Sequence, residues 1–377
     1  MKIAQLTGRS INAGDCLIEE RSTALLKHCF PHAQIDMYLR KDVPNCLSTI
    51  NDADAVVFTG GPLIQELAYS YPLDSYMQIS KPIMLLGVGS KTSNGSVEMT
   101  YSNYSLSPQT IAFFKKVNDE GLGFGCRDIY TLRVLKRYGL QNILLTGCPA
   151  WYDLSNINNL RLSSKGIKHI CVSDPWQSCY YEQAISILSF LEKKYTDAKI
   201  TFVFHEQLNN DLQNKIRVKF PKINIQYIGG DGHGMHIYDS CDLHVGYRVH
   251  AHIYNLSIRN RTILIEEDGR GAGVNEILGQ INLTAYKDNI KRRLRDYMPI
   301  YKKQHPIDIE NHHLLEELSL CLDAYEDTDY LYLENAFKLQ KRYFDNMMSF
   351  ISRIRAHQER SQSSENQKYE NLWGGGK

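Results

Sequence analysis

Ala55-Val56-Val57-Phe58-Thr59-Gly60-Gly61-Pro62 is an apolar run of strand length that stops on two glycines. Ile83-Met84-Leu85-Leu86-Gly87-Val88-Gly89-Ser90 repeats the arrangement. Strands that are apolar at nearly every position are buried on both faces, the condition of a parallel sheet with helices on each side. Outward from these two runs the same unit of strand, turn and helix recurs. In the first half, further strands are read at 3–6, 122–124 and 143–145, with a weaker one at 35–38. Helices are read at 18–26, with Asp15 as its cap, at 108–117 and at 129–138, where Gly139 is the stop. An Asn- and Ser-rich stretch at 153–167 interrupts the rhythm. It resumes with strands at 169–172, 200–204, 223–228, 243–245 and 262–265 and a long helix at 181–195. The fold class is therefore α/β, with two doubly wound, Rossmann-like domains facing a cleft and a C-terminal helical extension. The divisions are 1–152, a linker at 153–167, 168–285, a helical extension at 286–360 and a disordered tail at 361–377. Such sheets bind ligands at the carboxyl ends of their strands.

Composition limits the function. The chain has 377 residues, with 43 Lys and Arg against 42 Asp and Glu, a net charge of +1. That excludes a uniformly basic nucleic-acid binder. No apolar run reaches the roughly 18 residues of a membrane span, and the apolar part of the N-terminus is too short for a signal peptide. The nine cysteines (16, 29, 46, 126, 148, 171, 179, 241, 321) have no paired spacing and read as reduced thiols of a cytoplasmic protein.

The small charge sum is a cancellation. Residues 287–303 hold seven basic and two acidic side chains, 304–337 hold nine acids and no Lys or Arg, and 338–360 are basic again. The last block carries Phe337, Phe344, Met347, Met348, Ile351 and Ile354 on one helical face. That face either packs across the two domains, the preferred reading, or rests on an anionic membrane, as the 287–303 cluster can.

The motifs lie at strand ends. Asn12-Ala13-Gly14-Asp15 joins the first strand to the first helix and reads either as a ligand-approach turn or as a plain capped turn. Neither glycine turn, with Gly60, Gly61 and Gly89, fits a dinucleotide or P-loop fingerprint. Arg127-Asp128 is open to two readings, an anion site at a helix N-terminus or a helix cap with a local salt bridge. The densest group is Asp242-Leu243-His244-Val245-Gly246-Tyr247-Arg248-Val249-His250-Ala251-His252. A helix beginning near Arg248 puts Arg248 and His250 in its first turn, which describes an anionic substrate and a proton transfer. His252 reads as an ordinary satisfied polar residue. His233, His236, His244, His250 and His252 match no zinc spacing, so no metal is expected. The turn from Glu266 to Gly273, with Glu267 and Arg270, faces the cleft in one reading and is a polar loop in the other.

Taken in order, these motifs resemble the polysaccharide pyruvyl transferase family over roughly residues 3–280. The matching features are Asn12-x-Gly14-Asp15, Gly60-Gly61, Gly87-Val88-Gly89, Arg127-Asp128 with Thr131, Thr146-Gly147-Cys148-Pro149-Ala150 and Arg248-Val249-His250. Pro62, Cys148 and Val249 depart from the family's usual Gly, Asp and Leu. The resemblance implies a fold like that of the GT-B glycosyltransferases. It also implies transfer of pyruvate from phosphoenolpyruvate (PEP) to two hydroxyls of one sugar of a bacterial surface polysaccharide or its lipid-linked precursor. It places Arg127, Arg248, Val249 and His250 on PEP, with His250 as the general acid. Asn12, Asp15, Gly60, Gly61, Gly89, Glu267 and Arg270 are the cleft and acceptor candidates. PEP enters as a co-substrate and no cofactor or nucleic acid is expected; the protein is placed in the cytoplasm, peripheral at the inner face of the membrane. Two rivals stand beside this reading: a glycosyltransferase using a nucleotide sugar, and a non-catalytic protein that has kept the fold.

Overall fold

The computed structural model describes residues 1–65, 67, 71–90, 104–162, 166–206, 208–230, 234–281, 283–286 and 310–373. The first sheet contains β1 (Lys2–Thr7), β2 (Gln34–Leu39), β3 (Ala55–Thr59), β4 (Ile83–Val88), β5 (Gly123–Cys126) and β6 (Ile143–Leu145) in the order β2-β1-β3-β4-β5-β6. The second contains β7 (His169–Ser173), β8 (Lys199–Phe204), β9 (Asn224–Tyr227), β10 (Leu243–Gly246), β11 (Arg261–Glu266) and β12 (Leu283–Thr284) in the order β9-β8-β7-β10-β11-β12. Every pairing is parallel. The strand order reverses between β1 and β3 in one sheet and between β7 and β10 in the other. Loops leaving neighbouring strands there diverge and open a crevice.

Helices cover both faces: α1 (Ala13–Cys29), α2 (Val43–Asn51), α3 (Leu73–Met77), α4 (Pro108–Asp119) and α5 (Ile129–Arg137) on the first sheet. The second has α6 (Tyr181–Lys194), α7 (Asn210–Lys219), α8 (Val249–Ser257) and α9 (Gly269–Leu278). α1 begins earlier than the sequence suggested. Its cap is Asn12, whose side chain accepts from the Gly14 N–H at 2.8 Å, and Asp15 lies inside the first turn. β12 extends the sheet past residue 280, where the apolar pattern ends; two residues are too few to show a period.

Three helices follow: α10 (Leu314–Asp327), α11 (Leu331–Ile351) and α12 (Arg353–Trp373). α11 spends its apolar stripe on packing. Phe337, Phe344, Met347 and Ile351 are buried, and Phe350 lies against the Gly125 backbone. On the first domain, Asn346 Nδ2 donates to Leu145 O at 3.0 Å and Arg353 Nη1 to Leu122 O at 3.1 Å. On the second, Arg259 Nη1 donates to Gln340 Oε1 at 3.0 Å. The preferred reading of that stripe holds. The basic 287–303 cluster lies outside the described residues. The tail at 361–377, expected to be disordered, is instead helical through Trp373, since 353–373 contains many helix formers and neither Gly nor Pro. Among the described residues no helix is long and apolar enough to cross a membrane.

Candidate active site

The two switch points face each other and touch. The Ala13 N–H donates to His205 O at 3.2 Å, and the Gly230 N–H donates to Ile11 O at 2.6 Å. The loop after β1 is thus joined by backbone to the loops after β8 and β9 of the other domain.

His250 stands at the centre. α8 starts at Val249, so His250 occupies its first turn, while Arg248 is the N-cap residue rather than a member of that turn. The imidazole lies flat over the other domain's α1: a Cβ at Gly14 would sit 1.9 Å from His250 Nδ1. Only a residue without a side chain permits that approach. Burial first, then the charges of Arg270, Arg127 and Arg248, push His250 down to about 3. The ring is neutral at neutral pH and is surrounded by three cations drawn from both domains.

Each cation has its own support. Arg248 is bound across 74 residues by Asp174: Nε donates to Oδ1 at 2.8 Å and Nη2 to Oδ2 at 2.6 Å. Its Nη1 lies 3.8 Å from Glu206 Oε2. Burial opposes the Arg248 charge, but the Asp174 carboxylate outweighs it and the guanidinium titrates above its usual range. Arg127, 6% exposed, donates from Nε to Asp128 Oδ2 at 3.2 Å, while Asp128 Oδ1 accepts from the Thr131 N–H at 2.7 Å and caps α5. The local cap and salt bridge are therefore present. The far end of Arg127 is laid over Gly89, where a Cβ would be 2.2 Å from Nη2. Arg270 is held by Asp268, which also caps α9.

The remaining candidates divide. Asp15 is half-buried beside His250's platform; burial raises its carboxyl, against the Ser10 hydroxyl and the charges of Arg40 and Arg270. Gly60 and Gly61, at φ +56° and +72°, make the turn at the β3 end. Glu267 is already occupied: its oxygens accept the backbone N–H groups of Trp176 and Gln177 at 2.9 and 3.0 Å, and burial lifts it to about 7. Val249 presents its backbone N–H outside the helical ladder. His244 bonds Ser173 and Thr262, and His252 bonds Thr262 through Nδ1, although His252 Nε2 is buried without a partner. His233 lies outside the described residues. Among the described residues no group of three or more His, Cys, Asp or Glu side chains is arranged to hold a metal ion.

Sequence reading missed Asp174, Glu206 and Arg40, and it read Gly14 as a turn glycine without its partner His250. Asp174 left one signal, an acid immediately following a buried strand. Its partner is far along the chain and could not be read.

Two wound domains with switch points opposed across a cleft define the GT-B-like class. Solved structures of similar fold include the S. aureus MnaA-UDP co-structure (TM-score 0.57, 10% identity, 92% of this chain and 93% of that one). Another is the UDP-GlcNAc 2-epimerase from Neisseria meningitidis bound to UDP-GlcNAc (TM-score 0.54, 10% identity, 94% of this chain and 99% of that one). At that identity the likeness concerns the fold. No curated protein matches the chain by sequence. The family model for polysaccharide pyruvyl transferase matches residues 12–254, more than half of the chain, and the protein belongs to that family. Asn12 through His250 fall inside the matched segment, whereas Glu267 and Arg270 lie beyond it.

Proposed function

We propose that the protein transfers pyruvate from PEP onto two hydroxyls of one acceptor sugar, forming a cyclic ketal and releasing phosphate. The observation that carries this reading is His250 in the first turn of α8, packed on Gly14 of the other domain and within the fields of Arg270, Arg127 and Arg248. PEP brings a carboxylate and a phosphate, and planar guanidinium groups match both. Burial and, after it, the three cations hold His250 unprotonated; the charges of PEP offset the cationic part, so the imidazole's proton affinity rises when PEP is bound. His250 then protonates the methylene carbon, which becomes the methyl group. One sugar hydroxyl attacks C2; phosphate departs from that carbon and the second hydroxyl closes the ketal. Asp15, its carboxyl lifted by burial, accepts the proton of the first hydroxyl, the proton of the second leaves with the phosphate, and the proton held by Asp15 returns to His250 to reset the site. The acceptor is a glycan or lipid-linked saccharide. The seven basic residues at 287–303 favour its presentation at an anionic membrane surface, and weak, salt-sensitive flotation with anionic liposomes is the check.

The decisive test is His250→Gln. Turnover should fall by about 10² to 10⁴, the scale of a lost acid–base group, while PEP affinity changes by only a few-fold. Full activity in the variant would sink the assignment. A thermal shift with PEP, about 2.7 kcal/mol at one hundred times Kd, is expected. A shift with nucleotide sugars alone overturns the PEP reading, and phosphate release with acceptor present excludes a non-catalytic role.

A further inference from the structure

Arg40 crosses the first domain's switch point from below. It leaves the end of β2, passes the end of β1 and donates from Nη2 to Thr59 O and Gly60 O, both at 2.7 Å. It is 3% exposed. Tyr76 fixes its backbone by donating to Arg40 O at 3.0 Å, and the Tyr71 hydroxyl lies beside the guanidinium. Asp15 acts on the charge from a distance without forming an ion pair with it. Burial in these surroundings weakens the hold on the proton, so the cation is stabilised mainly by carbonyl dipoles.

Arg259 shows what a purely structural arginine looks like in this protein. It is 1% exposed, and Nε, Nη1 and Nη2 all donate, to Asn159 O, Leu256 O and Asn156 O among others. Arg40 is incomplete by comparison, with a buried Nε that has no partner. Its Nη1 lies under two glycines: a Cβ at Gly8 would be 3.0 Å from it and one at Gly61 3.5 Å. Gly8 is exposed whereas Gly61 is buried, so the window to Nη1 opens past Gly8.

We infer that Arg40 binds a phosphate ester carried by the acceptor sugar, in a subsite separate from the donor cations. A phosphate oxygen supplies the counter-charge that the fold leaves out, and the window admits it to Nη1. The spacing suits a sugar between two anions. Arg40 reaches the end of β3, Arg127 follows β5, and two strand spacings amount to about 10 Å. The inference rests on the pyruvyl-transfer reading for the word acceptor, but the site itself does not depend on PEP.

Calorimetric titration of the full chain tests it, with hexose 1-phosphates, the matching methyl glycosides and PEP as separate probes. At least one phosphorylated sugar should bind tenfold or more tightly than its neutral counterpart. Arg40→Met should abolish that preference and leave PEP affinity within twofold. Equal binding of charged and neutral sugars, or an unchanged preference in the variant, overturns the proposal. If Arg40→Met does not fold, Arg40→Lys and Gly8→Ser decide: the first keeps a charge without the planar fork, and the second narrows the window. Each should weaken phosphorylated-sugar binding at least threefold, and unchanged binding in both overturns the proposal. Nucleotide-linked and short polyprenyl-linked diphosphate sugars separate a soluble from a lipid-carried source of the same chemistry. Hexose-phosphate binding without PEP binding sinks the donor reading and leaves Arg40 standing.

Discussion

Arg127 and Arg248 each follow the end of a strand, one in each domain, and the two are braced differently. Arg127 is tied through Nε to the residue beside it, whose carboxylate also serves as a helix cap, and more weakly through Nη2, which donates to Ser90 O at 3.4 Å. Arg248 is gripped at two nitrogens by a carboxylate from another strand–helix turn of the same sheet. The first brace is local and leaves the outer guanidinium lying over Gly89. The second fixes the whole group. The difference separates an arginine braced by its own helix cap from one braced by a carboxylate far along the chain.

The contrast breaks first at Asp174. Asp174→Ala leaves the largely buried Arg248 with only the distant Glu206 carboxylate at 3.8 Å and should cost about 3–5 kcal/mol, read from urea midpoints. A cost below that of Asp128→Ala would erase the distinction. Acid sharpens it next. His252 is 1% exposed and pushed by burial down to about 3, whereas His28 and His32 of the first domain are exposed. The unfolded chain takes up a proton at His252 as pH falls through about 6.5, and the folded chain does not. Stability is therefore lost on acidification. Between about pH 7.5 and 5.5 this residue should account for about 1.4 kcal/mol, a loss absent from His252→Asn. An identical pH dependence in the variant refutes this. Asp128→Ala removes a cap and one weak ion pair, for about 0.5–2 kcal/mol in thermal unfolding. Gly89→Ala should barely change stability, because its new methyl group meets the movable end of Arg127. It should instead raise KM for PEP several-fold with kcat little altered. An unchanged KM would show that Arg127 does not need to lie there.

Much of the fold was legible because buried parallel strands are apolar throughout and end on glycine. The donor-side residues were legible for a related reason: Arg127, Arg248 and His250 all sit within four residues of a strand end. What escaped depended on distance along the chain. Asp174 gains its meaning from Arg248, Gly14 from His250 in the other domain, and Arg40 from carbonyls at the end of β3, a strand that β1 separates from β2 in the sheet. Asn12 and Asp15 both suit an N-cap, and only the backbone decides between them. The helical tail lacked an apolar period, so its intrinsic preference for helix went unread.

The position of α11 in the chain has a consequence for biosynthesis. Both sheets leave the ribosome before the helix that ties them together. At roughly 5–20 residues per second, each domain has time to fold on its own before Leu331–Ile351 emerges. The alignment of Arg127 with His250 is then among the last events of maturation. Until that moment the nascent chain exposes the apolar surface around Gly125 and Phe337's partners, a period in which it is a natural client for chaperones.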